Sequence, residues 1–143
     1  MKCITSRKNP IFKRLLKLEE STKKRRACGL TILDGVHLVN SYHAKLGIPR
    51  CLISNESGCE SPEIKQLLTL KESEAVDVFV LSDNLFREIS PVKTPTGIIA
   101  LVTIPAPRDI PVRKNERFCV LLESIQDPGN LGSILRSAAV AGV

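Results

Sequence analysis

The sequence has 143 residues, 43% of them apolar and 25% charged, and carries a formal net charge of +6. This composition suits a soluble globular chain with one ordinary core and excludes a disordered one. No apolar run approaches the ~18 residues of a membrane span, and MKCITSRKNP offers no apolar segment for a signal peptide; a cytoplasmic location with no membrane partner is expected.

The first 26 positions hold ten of the 21 basic residues (Lys2, Arg7, Lys8, Lys13, Arg14, Lys17, Lys23, Lys24, Arg25 and Arg26) against only Glu19 and Glu20. Such a cluster is an electrostatic footprint for a polyanion, although a solvated basic face would look the same. Asn9-Pro10 starts a helix, with a capping side chain followed by Pro where its missing N–H costs nothing. Ile11, Leu15 and Leu18 then fall on one stripe, with Phe12 and Leu16 beside it and Lys13, Arg14 and Lys17 outward. After the KKRR run, LTIL reads as a strand, Asp34-Gly35 as a turn, and VHLVNSYHAKL as a helix ended by Gly47 and Pro49.

RCLIS is the next strand, and Ser61-Pro62-Glu63 caps a helix running through LLTLKES. VDVFVLS reads as a buried strand, NLFREIS as a short helix, and GIIALVTI as another strand. Alternating strands and helices imply an α/β sandwich with a largely parallel or mixed sheet over residues 1–104. Pro105, Pro107 and Pro111 mark residues 105–117 as a linker. FCVLLES then restarts as a buried strand, so residues 118–143 read as one strand and one helix of a second α/β domain.

The five cysteines, Cys3, Cys28, Cys51, Cys59 and Cys119, are scattered and never form C-x-x-C, which suggests small buried hydrophobes rather than disulfides or zinc. His37 and His43 are poorly spaced for a shared metal, and no metal site is expected. In the final segment Asp127-Pro128-Gly129 is a turn and Asn130 is suited to cap a helix from Leu131, whose apolar face is Leu131, Ile134, Leu135 and Ala138. Arg136 follows Asn130 by six residues, about 9 Å along the axis, and can reach back toward the helix start. A Walker loop is excluded, the dinucleotide fingerprint is absent, and GNLG follows a strand rather than joining two helices as in a KH domain. A capped helix with a surface Arg remains the plain alternative.

Two stretches resemble the SpoU/TrmH class of RNA ribose 2′-O-methyltransferases, within the SPOUT superfamily. ITSRKNPIFKRLLKL followed by LDGVHLV, with TPTGIIALV later, is similar to that family's N-terminal substrate-binding domain; LLESIQDPGNLGSILRSAAVAG is similar to the first catalytic motif. The resemblance implies an L30e/L7Ae-like domain that guides RNA, ribosomal or transfer, followed by the first strand and helix of an incomplete trefoil-knot domain. It places Asn130 and Arg136, with Glu123 nearby, at catalytic-site positions. It also implies S-adenosylmethionine as the donor and a homodimer for the full-length family member. The motifs that would hold the donor are absent from these residues, so this chain alone is expected to be truncated, to methylate nothing and to bind no donor.

Arg136 suits a fixed positive charge better than a base, because a guanidinium is rarely neutral. Asn130 could act on substrate or only cap its helix, and Glu123 could orient Arg136 or only end a strand. RNA contacts are expected from Lys8, Lys13, Arg14, Lys17, Lys23, Lys24, Arg25 and Arg26; His37 is as suited to packing as to RNA. Aromatics at 3% are too few for a base-stacking platform, so phosphate and shape recognition is expected. Five phosphate contacts would give log K a slope on log salt on the order of −4. A stand-alone L7Ae-like RNA-binding module is the rival reading; a small-molecule α/β enzyme has no paired nucleophile and base to support it.

Overall fold

The computed structural model describes residues 1–70, 74–106 and 119–142. The chain divides into two compact units, Met1–Ala106 and Pro107–Val143. The expected linker 105–117 falls almost wholly on residues 107–118, outside the described ones.

The first unit is built on a five-stranded mixed sheet: β1 (Lys2–Ile4), β2 (Leu30–Asp34), β3 (Cys51–Asn55), β4 (Asp77–Leu81) and β5 (Ile98–Thr103), in the order β1-β4-β3-β5-β2. β1 and β3 run parallel to β4, while β5 runs antiparallel to both β3 and β2. Its helices are α1 (Pro10–Glu20), α2 (Thr22–Cys28), α3 (Val36–Leu46), α4 (Pro62–Leu68) and α5 (Asp83–Ile89).

Side chains alternate across the pleat, so each central strand feeds two cores. Ile53, Phe79, Leu81, Ile99 and Leu101 meet Phe12, Leu15 and Leu18 of α1 and Leu85, Phe86 and Ile89 of α5. Leu52, Val78, Ile98, Ala100 and Val102 meet Val39 of α3 and Ile64 and Leu67 of α4. Burial of each large apolar side chain contributes roughly 1.5–3 kcal/mol, which fixes both helical layers on the sheet. The buried stripe of α1 is Phe12, Leu15 and Leu18, with the expected Ile11 only partly covered.

The structure corrects several expectations. The KKRR run, to which the sequence reading assigned no element, is helix α2, capped by Ser21 Oγ accepting from Lys24 N at 3.2 Å and closed by Gly29 at φ 64. β1 was not expected; three residues are too few for a periodicity signal, and the strand exists because β4 offers it an edge. The strand expected over FCVLLES does not form in its described residues, 119–124. A strand needs a ladder partner, and Leu121 is 93% exposed. Of the cysteines only Cys51 is buried; Cys3, Cys28 and Cys119 are exposed, on an edge strand, on a helix with no buried residue, and in the second unit. Ser61 stands at the start of α4 but its side chain makes no capping bond, and the expected end of that helix falls on residues 71–73, outside the described ones.

In the second unit the one described helix is α6 (Pro128–Val140). It starts earlier than expected. Asp127 is the cap, its Oδ1 accepting from Gly129 N at 2.6 Å, with Pro128 in the first turn. Asn130 therefore lies inside the helix and does not cap it: a carboxylate preceding Pro at the first helical position outcompetes an amide three residues on.

Candidate nucleic-acid interface

Asn9 Oδ1 accepts from Ile11 N at 2.8 Å and starts α1. Once Phe12, Leu15 and Leu18 turn to the sheet, helical spacing sends Lys13, Arg14 and Lys17 to the exposed side. Ser21 ends α1 in an extended conformation and caps α2, so the two helices form an elbow. Lys13, Arg14, Lys17 and Lys24 line a groove of about 380 Å³ in this elbow, with Pro10, Leu18 and Cys28. None of the four forms an ion pair among the described residues, which leaves a concentrated positive potential.

The other basic residues divide. Lys8, Lys23 and Arg26 are exposed beside the elbow. Arg7 is tied to Glu88 at 2.6 Å. Arg25 turns inward: Nη1 donates to the carbonyl oxygens of Leu18 (2.6 Å) and Glu19 (2.8 Å), and Nη2 to Thr22 Oγ1 (2.7 Å). It braces the elbow instead of joining the outward cations. Ser21 and Gly29, with seven residues of helix between them, were the signals in the sequence for this elbow.

His37 is exposed in the first turn of α3, on the opposite layer of the sheet from α1 and α2, so the structure does not bring it to the basic groove. Asp34 of the same D-G-x-H-L stretch is structural: its carboxylate accepts from Ser90 Oγ (2.6 Å) and Thr96 Oγ1 (2.9 Å), tying the end of β2 to the loop before β5. Gly35 at φ 104 donates to Ile98 O at 3.0 Å, a backbone conformation that favours Gly. Among the described residues no group of three or more His, Cys, Asp or Glu could hold a metal ion, and no helix is long and apolar enough to cross a membrane.

In α6 the Arg136 side chain does run back toward the helix start. Its Nη2 donates to Ser133 Oγ at 3.2 Å, and Nη1 lies 3.2 Å from where a Cβ on Gly132 would stand. Among the described residues no hydrogen bond or ion pair joins Arg136 to Glu123, which is exposed, as is Asn130. Leu131, Ile134 and Ala138 are half-covered and Leu135 is exposed. The described part of the second unit is this helix and an exposed segment before it.

The profile of the MRM3-like substrate binding domain matches residues 9–100, from the cap of α1 into β5. The chain belongs to this family. It carries the N-terminal, L30e-like substrate-binding domain of SpoU/TrmH-type RNA 2′-O-methyltransferases. Among curated relatives, it is 31% identical to the "Uncharacterized tRNA/rRNA methyltransferase slr1673" of Synechocystis sp., over 98% of this chain and 50% of the relative. It is likewise 31% identical to the 23S rRNA (guanosine(2553)-2′-O)-methyltransferase RlmP of Bacillus subtilis, over 100% of this chain and 52% of the relative. Among solved structures, an RNA 2′-O ribose methyltransferase superposes with a TM-score of 0.75 at 26% identity, over 99% of this chain and 53% of that one. The SpoU methyltransferase AviRb of Streptomyces viridochromogenes, solved with AdoMet, superposes at 0.69 and 28% identity, over 94% and 49%. The chain spans about half the length of the curated relatives it matches. Within the MRM3-like domain, the matched residues include the whole α1–α2 elbow.

Proposed function

We propose that this chain serves an RNA ribose 2′-O-methyltransferase by gripping ribosomal or transfer RNA at the α1–α2 elbow. The observation that carries this reading is the groove in which Lys13, Arg14, Lys17 and Lys24 converge without a carboxylate partner among the described residues. Lysines and arginines presented this way neutralise phosphates and release counterions. The activity of the RlmP relative favours ribosomal RNA.

In the same proposal residues 1–104 take the RNA, 105–117 connect, and 118–143 contribute one wall of the methyl-transfer site. As a ribose 2′-hydroxyl loses its proton, the developing oxyanion needs fixed positive charge, and Arg136, anchored on Ser133, offers it. Asn130, freed from capping, is available to substrate, and Glu123 is exposed in the segment before α6. S-adenosylmethionine is the donor in this reading for the whole enzyme, and no step is assigned to it on the residues described.

Fluorescence anisotropy with structured ribosomal and transfer RNA tests the RNA half. Micromolar, salt-sensitive binding is expected, and reversal of Lys13, Lys17 and Lys24 to Glu should abolish it; binding that survives the reversal would overturn the reading.

A further inference from the structure

A second cavity, of about 580 Å³, opens on the same face of the sheet where β2, β3 and β4 begin and β5 ends. Arg14, Arg50, Asp77 and Thr103 stand around it, and Leu15, Phe79 and Leu101 belong to its apolar lining. It adjoins the elbow groove, since Arg14 and Cys28 line both. Arg50 escaped the sequence reading because only the pairing of β3 beside β5 puts it here: its backbone N donates to Leu101 O at 2.8 Å.

Two arginines share this cavity and neither forms an ion pair among the described residues. The acid present, Asp77, is taken by Lys2 Nζ at 3.1 Å. Arg50 Nε donates to Thr103 Oγ1 at 3.3 Å, which orients the guanidinium. Like charges held together without a counter-ion are a receptor for an anion. The apolar lining adds what a bare phosphate does not need: a surface for something flat and hydrophobic attached to that anion. The volume lies within the ~300–1,000 Å³ typical of small-ligand sites, which suits one nucleotide and is far too narrow for a duplex.

We infer that this cavity takes one unpaired nucleotide of the bound RNA, its phosphate between Arg14 and Arg50 and its base against the partly exposed Ile11 and Ile104. The inference rests on the proposed RNA binding and goes further, because it assigns recognition of an unstacked base to a domain otherwise read as gripping phosphate and shape. Sequence-specific RNA recognition works mainly on unpaired loops and bulges, whose bases can be splayed out. A chain with few aromatics has no open stacking platform, so an apolar pocket is its means of holding a base.

The test measures anisotropy of two labelled RNAs on the full chain: a hairpin with an unpaired loop, and a fully paired duplex of the same stem. Arg50→Ala is expected to weaken hairpin binding about tenfold and duplex binding less than about twofold. Thr103→Trp, which plugs the cavity without removing charge, should act the same way, with circular dichroism confirming that both variants fold. Lys24→Ala should weaken both RNAs alike. If neither Arg50→Ala nor Thr103→Trp changes hairpin binding, or if both lower hairpin and duplex equally, the nucleotide site is overturned. If the unaltered chain binds neither RNA, the RNA-binding reading itself fails and takes this inference with it.

Discussion

Arg25 caps the helix that carries Leu18: its Nη1 donates to the Leu18 carbonyl at 2.6 Å and to that of Glu19 at 2.8 Å. These are carbonyls of the last turn of α1, where the helix leaves acceptors without intrahelical partners and its dipole favours a cation. Because Arg25 sits in α2, the same bonds set the bend between the two helices, and so the spacing of Lys13 and Lys17 from Lys24. Arg25→Ala should lower stability by about 1–3 kcal/mol, read by urea denaturation. It should also weaken RNA binding, although Arg25 faces inward, while Arg26→Ala changes stability little.

Single alanine substitutions at Lys13, Lys17 and Lys24 are expected to weaken RNA binding for all sequences alike. Each should flatten the slope of log K against log salt by about 0.7–0.9 if it removes one phosphate contact. A salt titration of each variant checks this, and an unchanged slope would remove that lysine from the interface.

Gly132 and Arg136 are coupled through space on α6. A methyl group at Gly132 would stand 3.2 Å from Arg136 Nη1, so the flexible guanidinium must give way. Gly132→Ala should raise the intrinsic stability of α6 by about 0.5–1 kcal/mol while displacing the Arg136 guanidinium from Ser133. Thermal melting reads the first effect, and the Arg136 Nε resonance reads the second.

Asp83 ties the end of β3 to the start of α5. Ser57 Oγ and N, with Asn55 Nδ2 at 2.7 Å, donate to its carboxylate and hold it below the usual aspartate range, the Ser57 hydroxyl contributing most. A depressed folded-state pKa gives stability that is present above the unfolded value, near 3.8, and is lost as pH falls through the lower folded one. Asp83→Asn should therefore melt earlier than the unaltered protein at neutral pH, and the gap should close in strong acid.

Cys51 lies on β3 at the second cavity, and burial, reinforced by Asp77, pushes its thiol up to about 11 against a partial opposing effect of Arg14. The thiolate is the reactive form, so Cys51 should be alkylated last of the five cysteines at pH 8, behind the exposed Cys3, Cys28 and Cys119. Mass spectrometry of a timed iodoacetamide reaction checks the order. With a raised folded pKa, its contribution to stability is full below about 9 and fades as pH climbs through about 11.

The sequence by itself determined what is local or periodic. Asn9-Pro10 starts α1, the stripe through Leu15 and Leu18 turns Lys13, Arg14 and Lys17 outward, and Gly47 ends α3, because caps and helical spacing act within a few residues. The two resembled stretches were also legible, and the family match over residues 9–100 agrees with the first of them. What depends on partners far along the chain was not legible. β1 exists because β4 pairs with it, the FCVLLES strand fails where no ladder reaches its described residues, Arg25 turns inward because α1 presents carbonyls to it, and Arg50 joins Arg14 only because β3 lies beside β5. Backbone and charged groups go wherever a partner is held for them, and only the tertiary fold decides where that is.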